Sequence, residues 1–217
     1  MKYKMVLFDL DGTLIDSAEG ITKCTQYALK RYGIDEPNLD KLRIFIGPPL
    51  KDTFMKYYGF TAEQGWEATL VYRERYDIKG KFECKLYPKV EECIRGLKNK
   101  GYLIGLASSK PEQACREILD YFKIGLLFDD IVGSSLDGTI SNKEEVLNEV
   151  MRRWSNIPKQ EMLLVGDTIY DINGANQVGM DSVAVSFGFG NITEMRQSGA
   201  RAVIDQLDEL VDLVDEL

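Results

Sequence analysis

The sequence predicts an α/β protein: a doubly wound parallel sheet with a smaller helical domain inserted into it. Three observations lead there. Four short apolar runs, Tyr3 to Phe8, Tyr102 to Ala107, Met162 to Val165 and Ser182 to Val185, are each followed by small or polar residues and then by helical spacing. Strands that alternate with helices favour parallel order. The interval between the first run and Pro88 carries only helix signals and far exceeds what a simple crossover needs. Finally, 217 residues with 44% hydrophobic content suffice for one large domain with a smaller insert.

In chain order, Tyr3 to Phe8 is the first strand, and it runs into Asp9. The helical cap domain is expected at residues 16–82, which leaves 1–15 and 83–217 as the core. Ser17 reads as the cap of a helix carrying Ile21, Cys24 and Ala28; Leu50 to Tyr58 is a second helix. Thr61 and Gln64 form a capping box for a third helix running towards Tyr76. Between them, Ile46-Gly47-Pro48-Pro49 is a stiff turn that no helix can cross. The cap aromatics Phe45, Phe54, Tyr57, Tyr58, Phe60, Tyr72 and Tyr76 fill its core or line a pocket, with core the default for most.

Pro88 reads as a first helical position, after which Val90, Cys93, Ile94 and Leu97 recur at helical spacing until Gly101. Ile118, Leu119 and Phe122 repeat the pattern after Pro111, and Val146, Leu147 and Val150 mark another helix that opens at Lys143.

Composition removes several classes of function. There is no histidine, so histidine triads, most zinc sites and imidazole acid-base chemistry are excluded. With 27 Lys plus Arg against 35 Asp plus Glu, the net charge of -8 disfavours nucleic acid and anionic membranes. The four cysteines form no CxxC pair, and no apolar run approaches the roughly 18 residues of a membrane span. A cytoplasmic protein with reduced thiols, a monomer or homodimer, is expected.

What remains is carboxylate, lysine and hydroxyl chemistry. In Asp9-Leu10-Asp11-Gly12-Thr13-Leu14, extended geometry turns Asp9 and Asp11 to one side before a glycine turn. A plain acidic turn or calcium-like loop is the alternative. Val165-Gly166-Asp167 ends another strand and Asp171 follows one helical turn later, so four acids can converge at the strand ends. Such a cluster needs a cation, and an all-oxygen site suits Mg2+; helix capping is the competing reading of Asp171 and Asp167. Ser108, Ser109 and Lys110 lie between a strand and a helix, as a phosphate cradle or an ordinary cap. Lys143 stands at a helix start, where its charge opposes the dipole; it is either a site residue or a solvated surface lysine.

Together these pieces resemble the haloacid dehalogenase superfamily: DLDGT at 9–13, Ser108, Lys143 and GDTIYD at 166–171, in that order, with a helical cap at the first insertion point. GANQVGM at 174–180, FGFG at 187–190 and IGPPL at 46–50 look like its phosphoglycolate phosphatase branch. The resemblance implies a Rossmann-like catalytic core and a hydrolase of phosphoric monoesters acting on a small-molecule phosphate ester. Asp9 would be the nucleophile that forms an aspartyl-phosphate, and Asp11 the acid and then the base. Mg2+ would be held by Asp9, the Asp11 backbone carbonyl, Asp167 and, through water, Asp171. Ser108, Ser109 and Lys143 would bind the phosphoryl oxygens, and the cap loop with Gly47, Pro48 and Lys51 would face the substrate. Thr168 and Glu144 depart from residues common in relatives without removing a catalytic group. The Pro48-Pro49-Leu50 turn weighs against mutase or phosphonate chemistry. A sugar phosphomutase or nucleotidase of the same superfamily is the runner-up, and a phospho-aspartate switch module the reading from another class. Gly188-Phe189-Gly190 superficially resembles a dinucleotide fingerprint but comes late and lacks the third glycine.

Overall fold

The computed structural model describes residues 2–217, and by its internal contacts the chain forms two compact units. The larger holds the chain up to Ile15 and again from Leu86 onwards; the smaller is Asp16–Lys85. The second crossing thus falls a few residues beyond the expected 82/83 boundary.

In chain order the elements are β1 (Met5–Phe8), β2 (Ile15–Asp16), α1 (Ala18–Arg31), α2 (Leu50–Tyr58), α3 (Ala62–Tyr76), β3 (Lys85–Leu86), α4 (Val90–Asn99), β4 (Leu103–Pro111) and α5 (Glu112–Tyr121). They continue as β5 (Asp130–Ser134), α6 (Lys143–Arg153), β6 (Met162–Gly166), α7 (Ile169–Val178), β7 (Asp181–Val185), α8 (Ile192–Gln197), β8 (Ala202–Ile204) and α9 (Glu209–Glu216). Among the described residues, six strands make a sheet in the order β5-β4-β1-β6-β7-β8, parallel throughout. The chain goes from β1 to one side, through β4 and β5, then crosses back to β6 on the other. The reversal leaves a crevice at the carboxyl ends of β4, β1 and β6.

Every residue of β1 and β6 is buried, as expected of strands covered on both faces. Side chains alternate along a strand. Met5 and Leu7 of β1, and Met162 and Leu164 of β6, therefore join Val146, Leu147 and Val150 of α6 and Ala175 and Val178 of α7 in one apolar cluster. Val6, Phe8, Leu163 and Val165 point to the opposite face. Each such fully buried aliphatic side chain stabilises the fold by roughly 1.5–3 kcal/mol, so the central strands give a firm base to the loops at their carboxyl ends.

Strands β5 and β8 were not among the four apolar runs. β5 reads Asp-Ile-Val-Gly-Ser and β8 only Ala-Val-Ile, too short and mixed to stand out without their neighbours. Pro88 lies outside α4, because Lys89 takes a left-handed conformation (φ 68°) before Val90 starts the helix.

Within the smaller unit, Thr61 and Gln64 do form the capping box of α3, but Ser17 does not cap α1. Its hydroxyl is buried without a partner, and Asp16 Oδ1 accepts the Ala18 N–H instead (3.1 Å). Leu39–Phe45 winds as a 3-10 helix, opened by the Asn38 side chain accepting from Asp40 N–H. Phe45, Phe54, Tyr72 and Tyr76 are buried, with Phe54 stacked on Phe60, whereas Tyr57 is exposed.

Candidate active site

Asp9 continues β1 by one residue: its N–H donates to Val165 O on β6 (2.9 Å), so the side chain stands at the centre of the crevice. The chain then turns tightly, Leu14 and Ile15 both donating to Leu10 O. Gly12 carries φ 82°, and a Cβ there would lie 1.9 Å from Asp167 Oδ2. Both the backbone angle and the close approach require glycine.

Lys143, the first residue of α6, sends its side chain inward. The helix start is satisfied by Asn142 and Glu145, which form a capping box, so the lysine has no capping duty. Its Nζ donates to Asp9 Oδ1 (2.7 Å) and Ala107 O (2.7 Å) and pairs with Asp171 Oδ1 (2.8 Å). Three N–H groups meet three acceptors, and the side chain is only 5% exposed. That rules out the surface-lysine reading. Gly174 gives the stem room: a Cβ there would be 2.6 Å from Lys143 Cγ.

Asp171 caps its helix and also faces the crevice. Its Oδ2 accepts from the N–H groups of Asp167 and Thr168 and from the Thr168 hydroxyl, closing the start of α7, while Oδ1 faces Lys143. Asp167 is different. Its Oδ2 accepts from Phe189 N–H (2.8 Å), but Oδ1 is buried with no hydrogen-bond partner. The FGFG stretch wraps this residue, and a Cβ at Gly188 would sit 2.3 Å from Asp167 Cβ.

Electrostatics follow from this crowding. Burial, countered by Lys143 and reinforced by Asp171, pushes the Asp9 carboxyl up to about 6. Burial together with Asp171 and Asp9 holds Asp167 well above the ordinary carboxylate range. Burial alone would lower Lys143, but Asp171 and Asp9 outweigh it and keep the ammonium charged. The carboxylates of Asp9, Asp167 and Asp171 offer oxygens all within 4.8 Å of one another. An acid-rich, all-oxygen cluster with one orphaned oxygen fits a hard divalent cation such as Mg2+.

Asp11 stands apart from that cluster. Its carboxylate is paired with Lys110, Nζ lying 2.8 Å from each oxygen. Ser108 is buried and its Oγ accepts from Lys110 N–H (3.3 Å), while Ser109 is exposed. Gly47, Pro48 and Lys51 belong to the smaller unit, Gly47 with φ 102° and Lys51 in the first turn of α2. Sequence reasoning missed the pairing of Lys110 with Asp11 and the use of Phe189 N–H. The signal for the second was the FGFG motif itself, whose glycines mark a close backbone approach.

The chain matches the model of the haloacid dehalogenase-like hydrolases over residues 6–185. A crystal structure described as a predicted phosphatase from Clostridium acetobutylicum superimposes with a TM-score of 0.94 at 42% identity, all of each chain being covered. The 5'-nucleotidase of Pseudomonas aeruginosa is 41% identical over 90% of this chain and 88% of its own. The tyrosine-protein kinase PtkA of Mycobacterium tuberculosis is 33% identical, over 95% and 72%. A phosphoglycolate phosphatase of Pseudomonas savastanoi is 28% identical, over 96% and 78%. The motif set and these matches agree: the chain belongs to the haloacid dehalogenase-like hydrolase family.

Proposed function

We propose that this phosphatase hydrolyses small phosphomonoesters by forming and breaking an aspartyl-phosphate on Asp9, with Mg2+ bound by the acid cluster. The observation that carries the reading is the arrangement around Asp9. Lys143 holds its Oδ1 at 2.7 Å, which leaves Oδ2 to attack phosphorus, and the acids nearby have one buried oxygen without a partner.

Asp9 and Asp167 would hold the cation with the Asp11 backbone carbonyl; Asp171, whose oxygens are already engaged, would act through water. The bound ion would supply positive charge that offsets the repulsion between Asp9 and the phosphate dianion. Lys143 neutralises Asp9 and, with Ser108, stabilises charge on the non-bridging oxygens. Asp11 gives a proton to the leaving alkoxide and then takes one from the water that attacks the aspartyl-phosphate. The smaller unit, acting as a cap with the loop at Gly47, Pro48 and Lys51, would choose the substrate and exclude bulk water.

Among substrates, nucleoside 5'-monophosphates rank first, since the relative called a 5'-nucleotidase shares 41% of residues over 90% of the chain. Phosphoglycolate ranks second, and sugar phosphates come after. Phosphate release from such a panel with Mg2+ tests the reading. Asp9→Asn should lower the rate by at least about 10³-fold, and chelation should abolish it. An active Asp9→Asn protein would remove the nucleophile. Isomerised or transferred phosphate without free phosphate would favour a transferase, and a long-lived phosphoprotein the switch module.

A further inference from the structure

Two loops close on Asp167 through glycines rather than side chains. A Cβ on Gly12 of the DLDGT turn would lie 1.9 Å from Asp167 Oδ2. In the FGFG stretch, a Cβ on Gly188 would lie 2.3 Å from Asp167 Cβ and 2.6 Å from Gly12 O, and one on Gly190 would lie 2.1 Å from Asp167 O. The two loops therefore touch each other as well as the acid. Glycine permits so close an approach but does nothing to hold it, and its backbone is costly to order. Phe189 N–H, donated to Asp167 Oδ2 (2.8 Å), is one tie. A second runs outside the acids. Tyr87 donates its backbone N–H to Leu14 O (3.0 Å), at the end of the first loop. Its ring packs on Phe187, the residue before Gly188, with centroids 4.7 Å apart and planes at 55°. Both rings are half-buried.

We propose that Tyr87 and Phe187 are positioning residues that set the cation affinity of the acid cluster by bracing its two loops. One loop carries Asp9 and Asp11; the other backs Asp167, whose Oδ1 is buried without a hydrogen-bond partner. Tyr87 acts as a strut, its main chain fixed to the first loop and its side chain to the second. Mg2+ demands near-ideal oxygen positions and tolerates little drift. Loops that spread apart would be felt in affinity before they are felt in the fold. The proposal rests on the Mg2+ reading above and adds no step to the reaction. A tilted aromatic pair contributes about 2- to 10-fold to an equilibrium constant, and that is the effect expected here.

Calorimetric titration of the purified protein with Mg2+ measures it. Tyr87→Leu and Phe187→Leu should each weaken Mg2+ binding by about 2- to 10-fold. The double variant should lose less than the two single losses combined, because both remove one contact. Tyr87→Phe, which keeps the ring and the main-chain bond, should bind as the wild type does. Val214→Ala, at a buried position of α9, should lower stability in urea and leave Mg2+ affinity unchanged. By linkage, the stabilisation that saturating Mg2+ gives against urea should shrink in the Leu variants by the factor seen in the titration. Unchanged Mg2+ affinity in the Leu variants would overturn the proposal, as would additive losses in the double variant. A raised KM for a nucleoside monophosphate with Mg2+ affinity unchanged would make the rings a platform for the base, and this too would overturn it. Should Tyr87→Leu not fold, Phe187→Leu carries the test. The two levels separate cleanly: a wild type that binds no Mg2+, or an Asp167→Asn protein that binds it as tightly, sinks the cation site, whereas Leu variants that bind like the wild type sink only the brace.

Discussion

Two charge clusters in the larger unit use similar residues to opposite ends. At the crevice, Asp9 and Asp171 pair with the ammonium of Lys143, and Asp167 lies in the same acid cluster. Beside α5 and α6, Glu112, Asp130 and Glu149 face Arg116, Arg152 and Arg153, and Trp154 Nε1–H also donates to Asp130 (2.9 Å). Both hold three acids, but the cations number one in the first and three in the second. The carboxyls shift accordingly. Asp9 and Asp167 are pushed up, whereas Arg152 and Arg153 pull Glu149 down to about 2, and Arg116 and Arg153 lower Glu112 against the effect of its burial. An excess of buried acid weakens the bare fold and is suited to holding a cation; a matched network has nothing left to bind.

The comparison is tested hardest at its two hub cations. Lys143→Met should destabilise the ion-free protein by about 3–5 kcal/mol, because it strands buried carboxylates. Urea unfolding with a chelator measures this, and Mg2+ should return part of the loss. Arg153→Met removes the centre of the other cluster, but there the side chains remain partly in solvent. Its cost should be about 1–2 kcal/mol and indifferent to Mg2+. Equal costs for the two would erase the distinction.

Such clusters differ in how far the sequence announces them. Asp9, Asp167 and Asp171 were legible because each follows an apolar strand at short range, and parallel strands gather their carboxyl ends. Lys143 was legible as an oddity, a cation at the wrong end of a helix. Its inward course was not, because that depends on Asn142 and Glu145 capping the helix in its place and on the missing Cβ at Gly174. The pairing of Lys110 with Asp11 sits at a local register shift in β4, which no periodicity encodes. In the fold, the four central apolar runs stood out while β5 and β8 did not. Within the smaller unit the Thr61–Gln64 box could be read directly, yet Asp16 displaced Ser17 as the cap of α1, since neighbouring candidates offer the same chemistry.

Next in size is a substitution that should stabilise. Asp167→Asn removes a buried charge from among like charges and gives the orphaned position an amide. The ion-free protein at neutral pH should gain about 1–2 kcal/mol, while its response to Mg2+ disappears. The sign comes from the raised carboxyl. Protonation favours the folded state, so the penalty is absent below the ordinary value of 3.8 and grows as pH rises through it towards the folded value. In chelator, the advantage of Asp167→Asn over wild type should therefore shrink on acidification. A variant less stable than wild type at every pH would contradict the picture of an acid-rich site.

The smallest expected effect reads the same linkage with the opposite sign. Glu149 has its carboxyl lowered from 4.5 to about 2 by its bonds to Arg152 and Arg153. The stability it contributes is complete above 4.5 and is lost as pH falls towards 2. Glu149→Gln should therefore be less stable than wild type by about 0.5–1 kcal/mol near neutrality, a modest amount because surface pairs are screened by water. The deficit should hold flat down to the ordinary carboxylate value and narrow only below it. For Asp167→Asn the gap has the other sign, and it should begin to close at a higher pH, where Asp167 first takes up its proton. Two urea series across acidic pH, both in chelator, compare the curves directly. If both gaps shared one sign, or both closed over the same pH range, the separation of a binding cluster from a structural one would be wrong.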